Sequence, residues 1–497
     1  MQRSKILGTV NARKTPWDIV VIGGGATGVG CAVDAASRGY DVLLLEQHDF
    51  GKGTSSRSTK LVHGGVRYLA QGNISLVRES LKERGILLQN APHVVHKQTF
   101  IVPCYSHWQK LYYGIGLKIY DLLSGKYSFG KPRILSRTET IERLPTIAKK
   151  GLMGGILYYD GQFDDARLLI DLVGTAHDQG AAVLNYAKVT SISKDDAGKV
   201  KGVEFEDVES GERFLVGAKT IINATGAFSD AIRSMSDNAS KPIVTLSQGI
   251  HLVFDGKFLP SDDAVMIPKT SDGRVLFCIP WLGETLVGTT DTPIEMAELE
   301  PHARDAEIDF VLETAGEYLE QKPTRDDILS IFVGIRPLVK SGGTKNTASL
   351  SRGHTIVIDD AGLLTITGGK WTTYRHMAED AIDQAATVGG LEARTSVTKT
   401  LTIKTHLSDE SANSEKLHLD LPYTREDVVR AVREEMARTV EDVLARRTRA
   451  LFLNVKAAIE FASEVAEIMA KEIGMDKKWV ERQLEDVGET AKSYQIR

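Results

Sequence analysis

Gly23, Gly25 and Gly28 stand at GxGxxG spacing in the run GGGATGVG. In such a run one glycine permits a tight turn, one lets backbone approach a pyrophosphate, and one lets a helix pack against a strand. The helix that follows offers free N–H groups to phosphate. Glu46 lies at the end of the next apolar run, placed to accept hydrogen bonds from a ribose diol, which disfavours a 2′-phosphate and makes NADP the poorest ligand. NAD and FAD share this fingerprint. Two further glycine turns, NATGAFSD with Gly226 and TITGGKWTTYR with Gly368, Gly369 and Thr372, bring backbone close to a ligand, and a long, extended FAD needs several such approaches. The third also starts a helix, whose N-terminus stabilises negative charge on a reduced isoalloxazine. GTSSRSTKLVHGGVRYL (Gly53 to Leu69), dense in hydroxyls, glycine and basic side chains, reads as a ligand loop, with Thr54, Ser55 and Ser58 as cofactor-binding candidates. Taken singly, each of these runs is also an ordinary packing turn.

The elements that must hold these residues follow from periodicity. Trp17 to Gly23 is β-branched, GVGCAVDAASRGY is an alanine-rich helix, and YDVLLLE is a second buried strand, together a βαβ unit and hence a parallel sheet covered on both faces. A helix over Ala166 to Gln179, the strand AAVLNY, alternating segments around Val189 and Val200 to Phe205, and TIINATG add to that sheet. Short strands (IHLVF, RVLFCIP, ETLVGTT) and a helix near Asp305 to Gln321 predict a largely antiparallel domain inserted in the first. From about Leu391 the chain turns rich in Glu, Arg, Ala and Val. Val428, Val429, Val432 and Met436 fall on one helical face there, behind an N-cap at Thr424 with Asp427. The expected class is therefore α/β: a Rossmann-type FAD-binding domain from 15–105, 150–238 and 335–390, an antiparallel substrate or cap domain at 239–334, and a C-terminal all-helical domain at 391–497.

The chain has 497 residues, 42% apolar and 26% charged, which fits two or three globular domains and excludes disorder, collagen and coiled coil. With 61 Lys and Arg against 66 Asp and Glu the net charge is −5, so no nucleic-acid partner is expected. Cys31, Cys104 and Cys278 lie far apart without a CxxC pair, which argues against disulfides and zinc and for a reducing compartment. No export signal, EF-hand loop or spanning apolar run is visible. The expectation is a soluble or surface-bound protein.

The motifs above, together with GIRPL (Gly334 to Leu338), SRGHTI from Ser351 and PYTREDVVRAVREEMARTVEDVLARRTR near the C-terminus, occur in one order. In that order they resemble the FAD-dependent, quinone-linked glycerol-3-phosphate dehydrogenases of the D-amino-acid-oxidase-like superfamily, over most of the chain. The resemblance implies FAD as cofactor and sn-glycerol 3-phosphate as substrate, oxidised at carbon-2 to dihydroxyacetone phosphate with hydride transfer to the flavin. A phosphate dianion needs fixed cations, best of all arginine, and the motif positions offer Arg67, Arg336, Arg352 and Lys370. By resemblance Tyr68 and His251 complete the pocket. A neutral imidazole is the natural acceptor of the alcohol proton, which makes His251 the leading general base, His63 its rival, and Arg336 an alternative stabiliser of the developing alkoxide.

From Tyr105 to Arg133 the chain holds five basic residues against Asp121 alone, and seven of 29 residues are aromatic against 33 of 497 overall. Rings and cations together suit the headgroup layer of an anionic membrane. The segment 106–149 is thus read as membrane-facing, with peripheral attachment at the cytoplasmic face of the cell membrane, ubiquinone or menaquinone as acceptor, and a homodimer as a possible assembly. The rival readings are a glycerol-3-phosphate oxidase, which uses oxygen and yields hydrogen peroxide, a non-catalytic flavin-binding membrane scaffold, and an amine or amino-acid oxidase of the same superfamily.

Overall fold

The computed structural model describes residues 1–271, 273–339, 353–405 and 415–496. Its first sheet is built on the strand Trp17–Ile22, where Ile19, Val20 and Val21 are wholly buried. Val42–Leu45 and Arg213–Asn223 flank it in parallel, Ala182–Leu184 and Leu363–Gly368 lie beyond them, and His354–Ile358 closes one edge antiparallel. Strands with no polar face need cover on both sides. The helices Ala26–Ser37, Asp165–Asp178 and Tyr374–Val388 share the sheet's core. Gly30 makes the contact between the first and last of these possible, since a Cβ there would sit 2.9 Å from the Tyr374 ring.

Among the described residues the second sheet has ten strands. Val244–Phe254 pairs over its length with Ile328–Val339, and Glu284–Gly288, Leu276–Trp281 and Ala264–Ile267 follow in antiparallel order. Ala264–Ile267 then joins Val95–Cys104 in parallel, and Val95–Cys104 pairs with Gly154–Phe163. The sequence reading put those last two strands with the dinucleotide domain; here they extend the second sheet. Neither run alternates, because both are buried along most of their length, and the sheet they join depends on a partner some 160 residues away. Likewise 335–339 stays with the second sheet as the end of Ile328–Val339. The helix Asp305–Tyr318 covers one face through Ile308, Val311 and Ala315.

The other face meets the C-terminal helices, with Phe332, Leu286 and Val253 sharing a core with Leu444, Leu451 and Phe452. These helices are Arg425–Glu434, Ala450–Leu453, Val455–Glu460, Ala462–Ile473 and Lys477–Ala491, preceded by a small hairpin of Lys416–His418 and Leu421–Thr424. Thr424 and Asp427 form the expected capping box. Met436 lies past the helix end in a left-handed conformation (φ 54). Residues 391–405 run back along the first domain, where Thr398 and Ser396 bond Asp34 and Ile403 bonds Asn90, so the helical domain starts later than 391. Buried charges join it to the loop after Val42–Leu45. Asp49 accepts from Arg446 and Arg447, Lys52 pairs with Glu441, and Arg57 reaches Glu300 at 2.6 Å and the Tyr494 hydroxyl at 3.5 Å.

Within 106–149, Ser106 caps the helix His107–Ser124 by accepting from the Gln109 amide. The helix buries Gly114, Leu117, Tyr120 and Ser124 and exposes Trp108, Leu111, Tyr112, Ile115, Ile119 and Leu122 along the opposite face. Lys110, one of the five basic residues read as facing lipid headgroups, donates through Nζ to the carbonyls of Leu135 and Met153, each at 3.1 Å. Among the described residues no helix is long and apolar enough to cross a membrane. All three cysteines are free and buried, and burial pushes the Cys104 and Cys278 thiols up, to about 11 and about 12.

Candidate active site

A cavity of about 470 Å³ runs past the C-terminal ends of four parallel strands, lined by Gly23, Glu46, Gly226 and the stretch Ile366–Thr372. Gly23 turns the chain at φ +110, and a Cβ there would lie 2.7 Å from the Ala224 carbonyl oxygen. A Cβ at Gly28 would overlap the carbonyl oxygen of Gly23 itself, so Gly28 serves the turn and lies off the cavity wall. Gly25 caps Ala26–Ser37 without a side chain, and Ser55 Oγ accepts from the Ala26 amide at 2.9 Å. Gly226, Gly368 and Gly369 all have positive φ (57, 79 and 73), which a side-chain-bearing residue adopts only under strain.

The remaining cofactor candidates line the cavity but bond mainly to protein. Glu46 accepts from the Gly24 amide at 2.6 Å and the His48 amide at 2.9 Å, and burial holds its carboxyl above the usual range despite both donors. Burial, with Lys52 nearby, lowers His48 to about 4. The Thr54 hydroxyl donates to the Ile335 carbonyl (2.6 Å) and that of Ser58 to Asp165 (2.7 Å), so both fasten the loop. Thr372 Oγ1 accepts from the His63 amide at 3.2 Å. The trough fits an extended dinucleotide such as FAD: its walls are backbone at Gly23, Gly226, Gly368 and Gly369, a Cβ at the first or last of these meets a neighbour, and a helix N-terminus opens onto it.

A second cavity of about 160 Å³ adjoins the first, and Thr59, Leu61, His63, Tyr68 and Arg336 line both. Into it come Arg67, Arg274 and Arg336, with Asp160 and Asp291. Gly65, at φ +81, starts the short helix Val66–Ala70 that carries Arg67 and Tyr68. Arg336 donates to Thr289 Oγ1 at 3.1 Å and lies 3.7 Å from Asp291. Lys370 lines only the larger cavity, donates to Ser80 Oγ at 2.7 Å and stands 4.8 Å over the Tyr68 ring. Arg352 lies outside the described residues. Arg274 escaped the sequence reading because nothing in the residues around it distinguishes it from the many surface arginines.

His251 is buried on the strand Val244–Phe254. Its ring stacks on Phe332 (centroids 4.8 Å apart, 15° between planes), and the register places Gly288 beside it on the neighbouring strand. Its Nε2 lies 2.9 Å from Thr59 Oγ1. Burial foremost, then Arg336 and Lys60, hold its pKa well below the ordinary histidine value, so the ring is neutral at pH 7. His63 lines both cavities and meets Phe277 edge-on at 6.3 Å. Three guanidiniums around a small chamber can hold a dianion, and the neutral imidazole of His251, in the adjoining trough beside Thr59, can take a proton.

The family of FAD dependent oxidoreductases matches residues 18–375, and the C-terminal domain of alpha-glycerophosphate oxidase matches residues 368–480. A mitochondrial glycerol-3-phosphate dehydrogenase of Arabidopsis thaliana is 39% identical, over 96% of this chain and 86% of its own. The mitochondrial glycerol-3-phosphate dehydrogenase of Rattus norvegicus is also 39% identical, over 96% of this chain and 73% of its own. Among solved structures, the glycerol-3-phosphate dehydrogenase of Bacillus halodurans complexed with FAD superposes with a TM-score of 0.79 at 29% identity, over 100% of this chain and 99% of its own. L-alpha-glycerophosphate oxidase of Mycoplasma pneumoniae, at 17% identity and a TM-score of 0.59, shares the fold over 78% of this chain and 98% of its own.

Proposed function

The chain belongs to the FAD-dependent glycerol-3-phosphate dehydrogenases, and from that premise we propose that it oxidises sn-glycerol 3-phosphate to dihydroxyacetone phosphate and delivers the electrons to a membrane quinone. The observation that carries the reading is the chamber of Arg67, Arg274 and Arg336, which opens past Thr59 and His63 into the glycine-walled trough where His251 lies. When bound in that trough, FAD supplies the hydride acceptor.

The protein's own groups do the rest. Arg67, Arg274 and Arg336 hold the phosphate, with Lys370 behind Tyr68 adding positive potential. Arg336, fixed by Thr289 and Asp291, also faces the negative charge that grows on the carbon-2 oxygen as its proton leaves. His251 takes that proton, and His63 is the alternative base. Burial foremost, and after it Arg336 and Lys60, lower the basicity of His251. The incoming dianion offsets those charges, so the base gains strength when substrate is in place.

The quinone half of the proposal draws on the helix His107–Ser124. An unbroken row of exposed Trp, Leu, Tyr and Ile side chains on one helix face suits insertion into a lipid headgroup layer, where a quinone is within reach. On this reading the protein sits peripherally on the cytoplasmic face of the cell membrane.

An anaerobic titration with sn-glycerol 3-phosphate tests the first half, and reoxidation by a short-chain quinone or by oxygen tests the second. Bleaching of the flavin band followed by faster reoxidation with quinone is expected. A flavin spectrum untouched by this substrate overturns the substrate assignment, and faster reoxidation by oxygen makes the protein an oxidase.

A further inference from the structure

His251 lines the cofactor trough, yet the small chamber where the substrate's phosphate would sit does not include it. Thr59 lines both. The His251 ring has little freedom to cross over. It stacks on Phe332 on one side, and on the other even a Cβ at Gly288 would collide with it. Nε2 has one hydrogen-bond partner among the described residues, Thr59 Oγ1 at 2.9 Å, while Nδ1 is buried without any.

Thr59 is itself held from both sides. Ser58 bonds Asp165 through its amide and hydroxyl, at 3.1 and 2.7 Å. Lys60, in a left-handed conformation (φ 61) and fully buried, donates through Nζ to the Ser56 carbonyl at 2.6 Å and to both Asp165 oxygens at 2.7 and 2.9 Å. A left-handed lysine is strained unless its surroundings fix it, and the buried ion pair with Asp165 does so.

We infer that Thr59 is a catalytic residue, a hydroxyl relay between the substrate alcohol and His251. The step balances: the O–H bond at carbon-2 breaks, its proton passes to Thr59 Oγ1, the hydroxyl proton of Thr59 passes to His251 Nε2, and the carbon-2 hydrogen leaves with its electron pair as hydride for the flavin. The carbonyl forms from the alkoxide, and the histidine ends as imidazolium. The direction requires the resting proton of His251 on Nδ1, with Nε2 bare to accept from Thr59. The inference rests on His251 being the base.

The test compares the purified FAD-containing protein with its Thr59→Val, Thr59→Ser and His251→Asn variants and the double variant Thr59→Val/His251→Asn. Stopped-flow bleaching by sn-glycerol 3-phosphate gives the limiting rate and the apparent substrate Kd across pH, and ¹⁵N-histidine NMR of the oxidised protein gives the tautomer. Loss of general-base assistance predicts a limiting rate lower by about 10²–10³-fold in Thr59→Val, with Kd within about threefold. Thr59→Ser should recover the rate to within about tenfold, and the double variant should be no slower than His251→Asn alone, because the two groups act as one unit. The resonance missing in His251→Asn should report a bare Nε2. Thr59→Ala replaces Thr59→Val if the valine does not retain FAD. A fast Thr59→Val beside a slow His251→Asn overturns the relay and leaves the base in place. If both are fast, the base assignment itself falls. A rise in Kd alone, a Thr59→Ser variant as slow as Thr59→Val, or a proton on Nε2 also overturns the relay.

Discussion

Replacing Trp108, Leu111, Ile115 and Leu122 together by glutamine tests the membrane reading at its strongest point. These side chains are 72%, 54%, 52% and 79% exposed, so changing them removes almost nothing from the fold, while Leu117 and Tyr120 keep the helix docked. Full burial of a large apolar side chain is worth about 1.5–3 kcal/mol, so residues half to four-fifths exposed gain roughly 1–2 kcal/mol each on entering lipid. Four give roughly 4–8 kcal/mol at the additive limit. At about 1.4 kcal/mol per decade, the partition coefficient onto vesicles should fall at least a thousandfold. Charge contributes less. Lys110 is engaged by two carbonyls, which leaves Lys118 and Lys126 on this helix and the turn after it, at about 1 kcal/mol each near an anionic surface. Half-molar salt should therefore weaken wild-type binding only about thirtyfold or less. Sedimentation with anionic and zwitterionic vesicles reads the partitioning, and activity with a soluble dye acceptor reports that the active site is intact. A variant that still sediments like wild type refutes the assignment of this face to the membrane.

Arg336→Ala should keep FAD bound yet reduce it some 10²–10³-fold more slowly, since the group facing the developing alkoxide is gone; a normal bleaching rate removes Arg336 from the chemistry. Gly28→Ala puts a methyl group into the Gly23 carbonyl and should yield protein without flavin absorbance, whereas full FAD occupancy would show that the turn can give way. Burial opposes ionisation of Asp49 and Glu441, but Arg447, Arg446 and Lys52 prevail and hold both carboxyls below their ordinary range, Glu441 at about 2. Folded values below the unfolded ones stabilise the protein above about pH 4.5, and the benefit fades as pH falls through the folded values. Asp49→Asn should consequently lower stability by about 3–5 kcal/mol at pH 7, with the gap to wild type narrowing below pH 4 in thermal melts; a pH-independent gap contradicts the ion-pair account.

What could be read from the sequence was what is local. The GxGxxG turn, the strand before it and the helix after it are set by neighbouring residues, and the positive φ at Gly23, Gly226, Gly368 and Gly369 is a requirement only glycine meets easily. The capping box at Thr424 is legible for the same reason. Sheet membership of Val95–Cys104 was not, because a strand's pattern records which face is buried and not which strand lies beside it. Arg274 reaches the substrate chamber through tertiary placement alone. Thr54 and Ser58 look like ligand hydroxyls in a glycine-rich loop, yet carbonyl and carboxylate partners from distant segments hold them. The aromatic, basic composition of 105–133 pointed at a surface, but the apolar row became evident only once the helix's buried face was known.

The bonds from Arg446, Arg447, Glu441 and Tyr494 to Asp49, Lys52 and Arg57 have a consequence for biosynthesis. The loop of residues 46–60 edges the cofactor trough, but the partners of Asp49 and Lys52 in the C-terminal helices are made some 390–400 residues later. A ribosome that has released the first domain has therefore released an unfinished container, with Asp49 still lacking the two guanidiniums that hold it. Cofactor capture becomes a late event in the life of the chain, and a protein cut before Glu441 should fold its first sheet yet lose FAD on gel filtration. Retention of FAD by such a truncated protein would show that the trough closes without the C-terminal helices.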